Sequence, residues 1–294
     1  INKRTKVIIP VHLYGQACQM NKIIRLAKKY NLRVIEDCAQ SQGAKFSNKF
    51  VGTFGDFGCF SFYPTKILGA YGDGGFIITN NFNLYEKIKR IRFYGIETNN
   101  KKNKFYNEYY ANENGVNSRL DEIQSTILNL KIPLVNTFIK KRRILAKIYL
   151  DQLKNTELKL PIENKYCYHV YNVFTIFHKD RSKIISKLKL KKVDTRIIYP
   201  HAIHKMKAYK KLLKSKSLTN VERFSKGIGS NTLSKKMDEL NKLPKESLSI
   251  REIRQNFKKV SLIENNISFF KKDIEDELQF KNTFLDIKRS ITEK

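Results

Sequence analysis

Two apolar runs that each end in a dense polar cluster constrain this chain more than anything else in it. Leu32, Val34 and Ile35 run into Glu36-Asp37-Cys38-Ala39-Gln40, and Phe57 to Phe62 runs into Tyr63-Pro64-Thr65-Lys66. Both read as buried strands. Lys6 to Val11 reads as a strand before them, and Ala17 to Tyr30 as a helix between the first two. That is a β-α-β unit with the near-continuous apolar strands of a parallel sheet. In an open α/β sheet, groups at the carboxyl ends of neighbouring strands converge on one crevice. Asp37 and Lys66 are therefore delivered to the same place.

An acid and a lysine in such a crevice suit an aromatic, positively charged cofactor. A lysine that forms a Schiff base and an acid that pairs with a pyridinium nitrogen are the requirements of pyridoxal-phosphate chemistry. Gly69, Gly72, Gly74 and Gly75 follow Lys66. They lack the G-x-G-x-x-G order of a dinucleotide site and read as a tight loop beside the lysine.

Five segments in order carry a resemblance to a known family. They are Pro10-Val11-His12-Leu13-Tyr14-Gly15, Glu36 to Gln40, Ser61 to Lys66, Gly72-Asp73-Gly74-Gly75 and Asn117-Ser118-Arg119-Leu120-Asp121-Glu122. Over roughly residues 1–226 the chain resembles the DegT/DnrJ/EryC1/StrS nucleotide-sugar aminotransferases. The resemblance implies an α/β, aspartate-aminotransferase-like (fold type I) large domain with a mostly parallel sheet, plus a small α/β C-terminal domain. Ile1 is not an initiator methionine, so the large domain is expected to be incomplete at its N-terminus and the chain as written to be a poor catalyst. Expected boundaries are 1–150 for the partial cofactor domain, 151–226 for the small domain and 227–294 for a divergent, charged, helical tail.

The same resemblance implies roles for individual residues. Lys66 is the catalytic residue that bonds pyridoxal 5'-phosphate and shuttles the proton. Asp37 pairs with the pyridine nitrogen, Gln40 meets the phenolic oxygen or the ring, and Ser61 contacts the phosphate. Asn117 either reaches the partner subunit's phosphate across a homodimer or caps the helix that follows, a position asparagine suits. His12, Tyr199 and His204 match substrate-binding positions, with a satisfied structural histidine as the competing reading for His12 and His204. Arg119 and Asp121 read as a helix-start ion pair. No metal ligand set is expected. The implied reaction moves an amine, from glutamate as donor, onto a nucleoside-diphosphate-linked keto-deoxy sugar in amino-sugar biosynthesis for surface polysaccharide or glycan. Relatives that dehydrate sugars carry histidine at the lysine position, so Lys66 favours amino transfer.

Composition weighs on the alternatives. A formal charge of +31 ordinarily points to nucleic acid. Here the lysines are spread over the whole chain without a basic stripe, a zinc finger or an aromatic RNP pattern, so a generally basic surface is expected instead. The four cysteines lack CxxC or metal spacing and read as reduced residues of a cytoplasmic protein. No apolar run reaches membrane-spanning length. An inactive relative kept as an interaction protein remains the main alternative.

Further along, Leu84, Ile88 and Ile91 predict a helix, and Asn99 to Glu113 a polar loop. A helix starting at Asn117 or Ser118 is expected to break at Pro133, with a long basic helix over 134–153. Strands are expected over 170–177 and 193–198, flanking a helix over 181–188.

Overall fold

Strand β1 (Val7–Ile8), helix α1 (Met20–Lys29) and strand β2 (Arg33–Asp37) open the fold as a parallel β-α-β unit. In this computed structural model, residues 1–96, 110–190, 192–210 and Glu222 are described. They divide into two units: Ile1–Tyr149 with Pro161–Ile176, and Leu150–Leu160 with Phe177–Lys294.

Helix α1 buries Met20 and Ala27 and places Lys28 and Lys29 in its last turn, where positive charge complements the helix dipole. It ends in a Schellman closure. Asn31 sits at φ 50, its N–H donates to the Lys28 carbonyl at 3.4 Å, and the Leu32 N–H donates to the Ala27 carbonyl at 2.9 Å. Leu32 then leads straight into β2, which is why the strand end carrying Asp37 follows the helix so closely.

The short strands β3 (Lys45–Phe46) and β4 (Lys49–Phe50) form a hairpin, followed by β5 (Phe57–Ser61) and β6 (Gly75–Ile78). The main sheet has the order β1-β2-β5-β6. The first three strands are parallel, with Asp37 paired to Cys59, whereas β6 returns antiparallel to β5. The sheet is thus mostly parallel, as expected. One core cluster gathers Met20 and Ala27 from α1, Val34 from β2, and Cys38, Phe46, Val51, Ile67, Ile139 and Val170. Ile67 matters most here: its burial ties the residue after Lys66 into the core.

Helix α2 (Phe82–Ile91) is capped by the Asn81 side chain, which accepts from the Leu84 N–H at 3.1 Å. Helix α3 (Glu122–Lys131) and helix α4 (Val135–Leu153) are joined by one 3-10 turn at Ile132–Leu134. Pro133 produces that break, since it supplies no N–H to continue α3.

Three expectations need correcting. Helix α3 takes Asp121 as its N-cap residue, not Asn117 or Ser118. Those two are instead zipped to the end of α2: Asn117 bridges Phe93, and the Ser118 N–H donates to the Arg92 carbonyl at 2.9 Å. Residues 170–177 do not form a strand. Only β7 (Cys167–Tyr168) pairs with β3; beyond it Tyr171 turns to φ 46, and Arg142 takes the carbonyls of Tyr171 and Asn172. Residues 193–198 form no strand either. Helix α5 (Arg181–Leu190) ends in a second Schellman closure, with Lys192 at φ 58 and the Val193 N–H donating to the Leu188 carbonyl. Val193 is thereby committed to closing a helix. A short helix α6 (Lys207–Lys210) completes the described elements. Most of the polar segment over 99–113 and the whole tail beyond 226 lie outside the described residues.

Candidate active site

β2 and β5 are adjacent and parallel, so their carboxyl ends lie at one edge of the sheet. Asp37 is the last residue of β2 and Ser61 the last of β5. The Cys38 N–H donates to the Cys59 carbonyl at 2.8 Å and continues the ladder one step past Asp37. The Lys66 turn follows directly, with its own N–H donating to the Tyr63 carbonyl at 2.9 Å. The loop is drawn tight at its far side. A Cβ on Gly69 would come within 2.5 Å of the Pro64 carbonyl oxygen, so only glycine admits that approach.

The polar side chains at this edge sort into committed and uncommitted groups. Glu36 is the most committed. Its face of β2 also carries Val34 and Cys38, and all three are buried. One carboxylate oxygen accepts from His12 Nε2 at 3.0 Å and the Gly52 N–H at 2.8 Å. The other accepts from the Phe54 and Gly55 N–H groups at 2.7 and 2.8 Å. Burial alone raises the Glu36 pKa, but the bond from His12 and those from the loop amides outweigh it and hold the carboxyl below its ordinary range. Gly52 sits at φ +86, which aims its N–H at the carboxylate.

His12 is fully buried, and both ring nitrogens are in use: Nδ1 accepts from the Cys18 N–H at 3.0 Å. The ring proton therefore sits on Nε2, toward Glu36. With no exposed atom and both ring nitrogens engaged, His12 has the geometry of the structural histidine that competed with its substrate-binding reading. His12, Glu36 and Cys38 bring their ligand atoms within 4.8 Å of one another, the spacing of a metal cluster. The committed lone pairs of Glu36 and His12 and the buried Cys38 thiol, whose pKa burial raises, make it a closed strut instead.

Asp37, Ser61 and Lys66 differ. Asp37 accepts from the Ala39 N–H with Oδ1 at 3.0 Å, and Ser61 Oγ accepts from the Tyr63 N–H at 3.1 Å. Among the described residues, Asp37 Oδ2 and Lys66 Nζ make no hydrogen bond or ion pair. Gln40 Oε1 accepts from the Tyr14 N–H at 2.9 Å, which fixes which end of the amide is the acceptor. Asp37 and Ser61 thus end adjacent strands, with Gln40 and Lys66 on the segments that follow them, and these are groups of the kinds that a pyridinium ring with a phosphate and an aldehyde would use.

Asn117 is exposed on the surface of the same unit, and its Oδ1 accepts from Arg119 Nε at 2.9 Å. Arg119 is thus engaged with Asn117, where a pairing with Asp121 was expected. Tyr199 and His204 lie in the second unit. Tyr199 is 53% exposed, whereas His204 is 8% exposed with Nε2 2.9 Å from Glu222 Oε1. Sequence reasoning assigned nothing to Glu36 or to Gln42, whose bonds are described below. The alternation Val34, Glu36, Cys38 was the available signal, because an acid in phase with buried residues must be satisfied internally.

A mostly parallel sheet with Asp37 ending one strand and Lys66 in the turn after its neighbour fits the aminotransferase class of fold type I, whose solved structures the chain matches. The chain belongs to the DegT/DnrJ/EryC1/StrS aminotransferase family, whose profile matches residues 1–241. It is 44% identical over 209 residues to a dTDP-3-amino-3,6-dideoxy-alpha-D-galactopyranose transaminase from Aneurinibacillus thermoaerophilus, covering 71% of this chain and 55% of that protein. It is 38% identical over 232 residues to a dTDP-3-amino-3,4,6-trideoxy-alpha-D-glucose transaminase from Micromonospora megalomicea, covering 76% and 60%. Among solved structures, S. venezuelae DesV in complex with a ketimine intermediate matches with a TM-score of 0.71 at 29% identity, over 81% of this chain and 65% of that one. NtdA from Bacillus subtilis with bound PMP matches at 0.67 and 30%, over 77% and 51%. The chain spans little more than half the length of the curated relatives it matches.

Proposed function

We propose that this chain carries the cofactor site of a pyridoxal-phosphate-dependent aminotransferase acting on a nucleoside-diphosphate-linked keto-deoxy sugar, with glutamate as amino donor. The observation that carries the reading is the strand-end arrangement: Asp37 and Ser61 end adjacent parallel strands, and Lys66 follows with an uncommitted amine. When bound, pyridoxal phosphate supplies an electron sink and carries the amino group between donor and acceptor.

The side chains divide the remaining work. Asp37 holds a positive charge at the pyridine nitrogen, and Ser61 donates its hydroxyl to the phosphate. Gln40, anchored by Tyr14, presents its amide to the ring. Lys66 holds the cofactor covalently, and its amine moves the proton at the substrate carbon. Asn117 serves the phosphate of the partner subunit in a two-fold homodimer. Tyr199 and His204 border the sugar. The family's nucleotide-sugar substrates suit a cytoplasmic enzyme of amino-sugar biosynthesis.

Relatives at 38–44% identity include three whose names specify a 3-amino or 3-dehydro sugar. That favours a 3-keto acceptor over a 4-keto one. Borohydride reduction with pyridoxal phosphate, followed by peptide mapping, is expected to label Lys66. Lys66→Ala is expected to lose the label while keeping reversible cofactor binding, and Asp37→Asn to keep the label with slowed amino transfer. A label elsewhere, or none in the folded protein, overturns the assignment; faster turnover of a 4-keto than a 3-keto sugar nucleotide overturns the acceptor.

A further inference from the structure

Gln42 lies two residues past Gln40 and belongs to none of the expected cofactor contacts. It is 6% exposed, and three of its amide's four hydrogen-bonding positions are directed at one loop. Nε2 donates to the Ser61 carbonyl at 2.8 Å and to the Leu68 carbonyl at 3.1 Å, and Oε1 accepts from the Leu68 N–H at 2.7 Å. Only one amide orientation satisfies three such partners. The two ends it grips, residues 61 and 68, enclose Lys66.

The rest of the loop has few such anchors. The Ala70 N–H donates to the Phe62 carbonyl at 2.7 Å and closes the base. Ile67 is buried in the core, and Lys131 Nζ reaches the Gly69 carbonyl at 3.1 Å. Between Ser61 and Ile67 the chain is a turn over Pro64 and Thr65. The path of the backbone that carries Lys66 is thus set by the buried Ile67 on one side and by the Gln42 amide at both ends.

We propose that Gln42 is a positioning residue for Lys66: its side-chain amide brackets the 61–68 loop and holds the lysine amine where covalent cofactor attachment requires it. This rests on the assignment of Lys66 above. Its physical basis is that a reacting group must be held to within a fraction of an ångström by neighbours that are themselves locked. A buried amide making three bonds to one loop does that at small cost in mobility, since Gln42 is already immobilised by burial.

Gln42→Met keeps the shape and removes all three bonds. In the otherwise native 294-residue chain, this substitution is expected to slow covalent attachment of pyridoxal phosphate at Lys66 by roughly tenfold or more, read by borohydride trapping over time. Reversible cofactor affinity, measured in a Lys66→Ala background, is expected to fall by a smaller factor than the attachment rate, because Ser61 stays paired to Gly75 in the β5–β6 ladder when the Gln42 bond is lost. Hydrogen exchange is expected to rise at residues 61–70 and to stay unchanged in β1 and β2. In the unsubstituted protein, the Leu68 N–H is expected to exchange far more slowly than the exposed Thr65 N–H.

An unchanged attachment rate with Leu68 protection lost overturns the proposal, as does exchange rising across the whole sheet. Leu68 exchanging as fast as Thr65 in the unsubstituted protein also overturns it, and needs no variant to fold. If the unsubstituted protein never bonds the cofactor at Lys66, the lysine assignment fails, and the Leu68 exchange still decides whether the bracket exists.

Discussion

Glu36 and Asp37 are adjacent acids with opposite fates, and strand geometry alone separates them. Successive side chains on β2 point to opposite faces, so one carboxylate goes into the core and the other to the strand edge. Glu36→Gln replaces an acceptor-only group by an amide whose NH2 faces backbone N–H donors. It is expected to lower unfolding stability by about 3 kcal/mol, read as a fall in the urea midpoint at constant m-value. His169 provides a pH test. It is 3% exposed, and burial, ahead of the opposing pull of Glu163, lowers its pKa to about 4. The unfolded chain protonates this histidine near pH 6.5 while the folded chain keeps it neutral. Its contribution is therefore whole above that pH and is lost as pH falls toward 4. Urea unfolding between pH 7 and pH 4 is expected to show about 3 kcal/mol of acid destabilisation from this residue. His169→Gln is expected to flatten that part of the profile.

At the scale of elements, two helices end in the same way without glycine. Asn31 closes α1 and Lys192 closes α5, each at positive φ, with the next apolar residue donating back into the helix. Asparagine tolerates that conformation well and a β-branched residue does not. Asn31→Val is expected to cost about 1–2 kcal/mol, and Asn31→Gly to stay within about 0.5 kcal/mol of the parent. Equal midpoints for the two variants would show that the α1–β2 connection does not depend on this closure. Helix existence was readable in the sequence for α1 through α5. The start of α3 was not, because Asn117 and Ser118 have the chemistry of a cap but are held by long-range bonds to α2. Local preference lost there to tertiary pairing.

For the whole molecule, assembly bears on the role of Asn117. Asn117 is exposed and lies beyond the strand-end crevice in sequence, on a segment tied to α2. If two-fold symmetry brings it to a partner's cofactor phosphate, the sites are shared between subunits. Mixing Lys66→Ala chains with Asn117→Asp chains is then expected to restore about a quarter of the normal sites, since half of the chains pair as mixed dimers and each has one intact site. No recovery after demonstrated subunit exchange would place Asn117 outside any shared site. The +31 charge adds a condition to that experiment: exchange needs enough salt to screen like-charged subunits.

The opening β-α-β unit, the strand ending at Ser61, helix α2, the mostly parallel sheet and the placing of Asp37 at a strand end with Lys66 just beyond the next were legible in the sequence; the β3–β4 hairpin was not. They depend on period-two and period-3.6 patterns that short windows carry. Tertiary structure alone decided what the patterns leave open. It turned 170–177 away from a strand, because Arg142 on α4 captures carbonyls that a ladder would have used. It made His12 a buried partner of Glu36, and it aimed Gln42 at both ends of the lysine loop. A sequence window shows which residues can hydrogen-bond; only the folded chain shows which partners, 24 or 26 residues away, use up that capacity and which groups it leaves for chemistry.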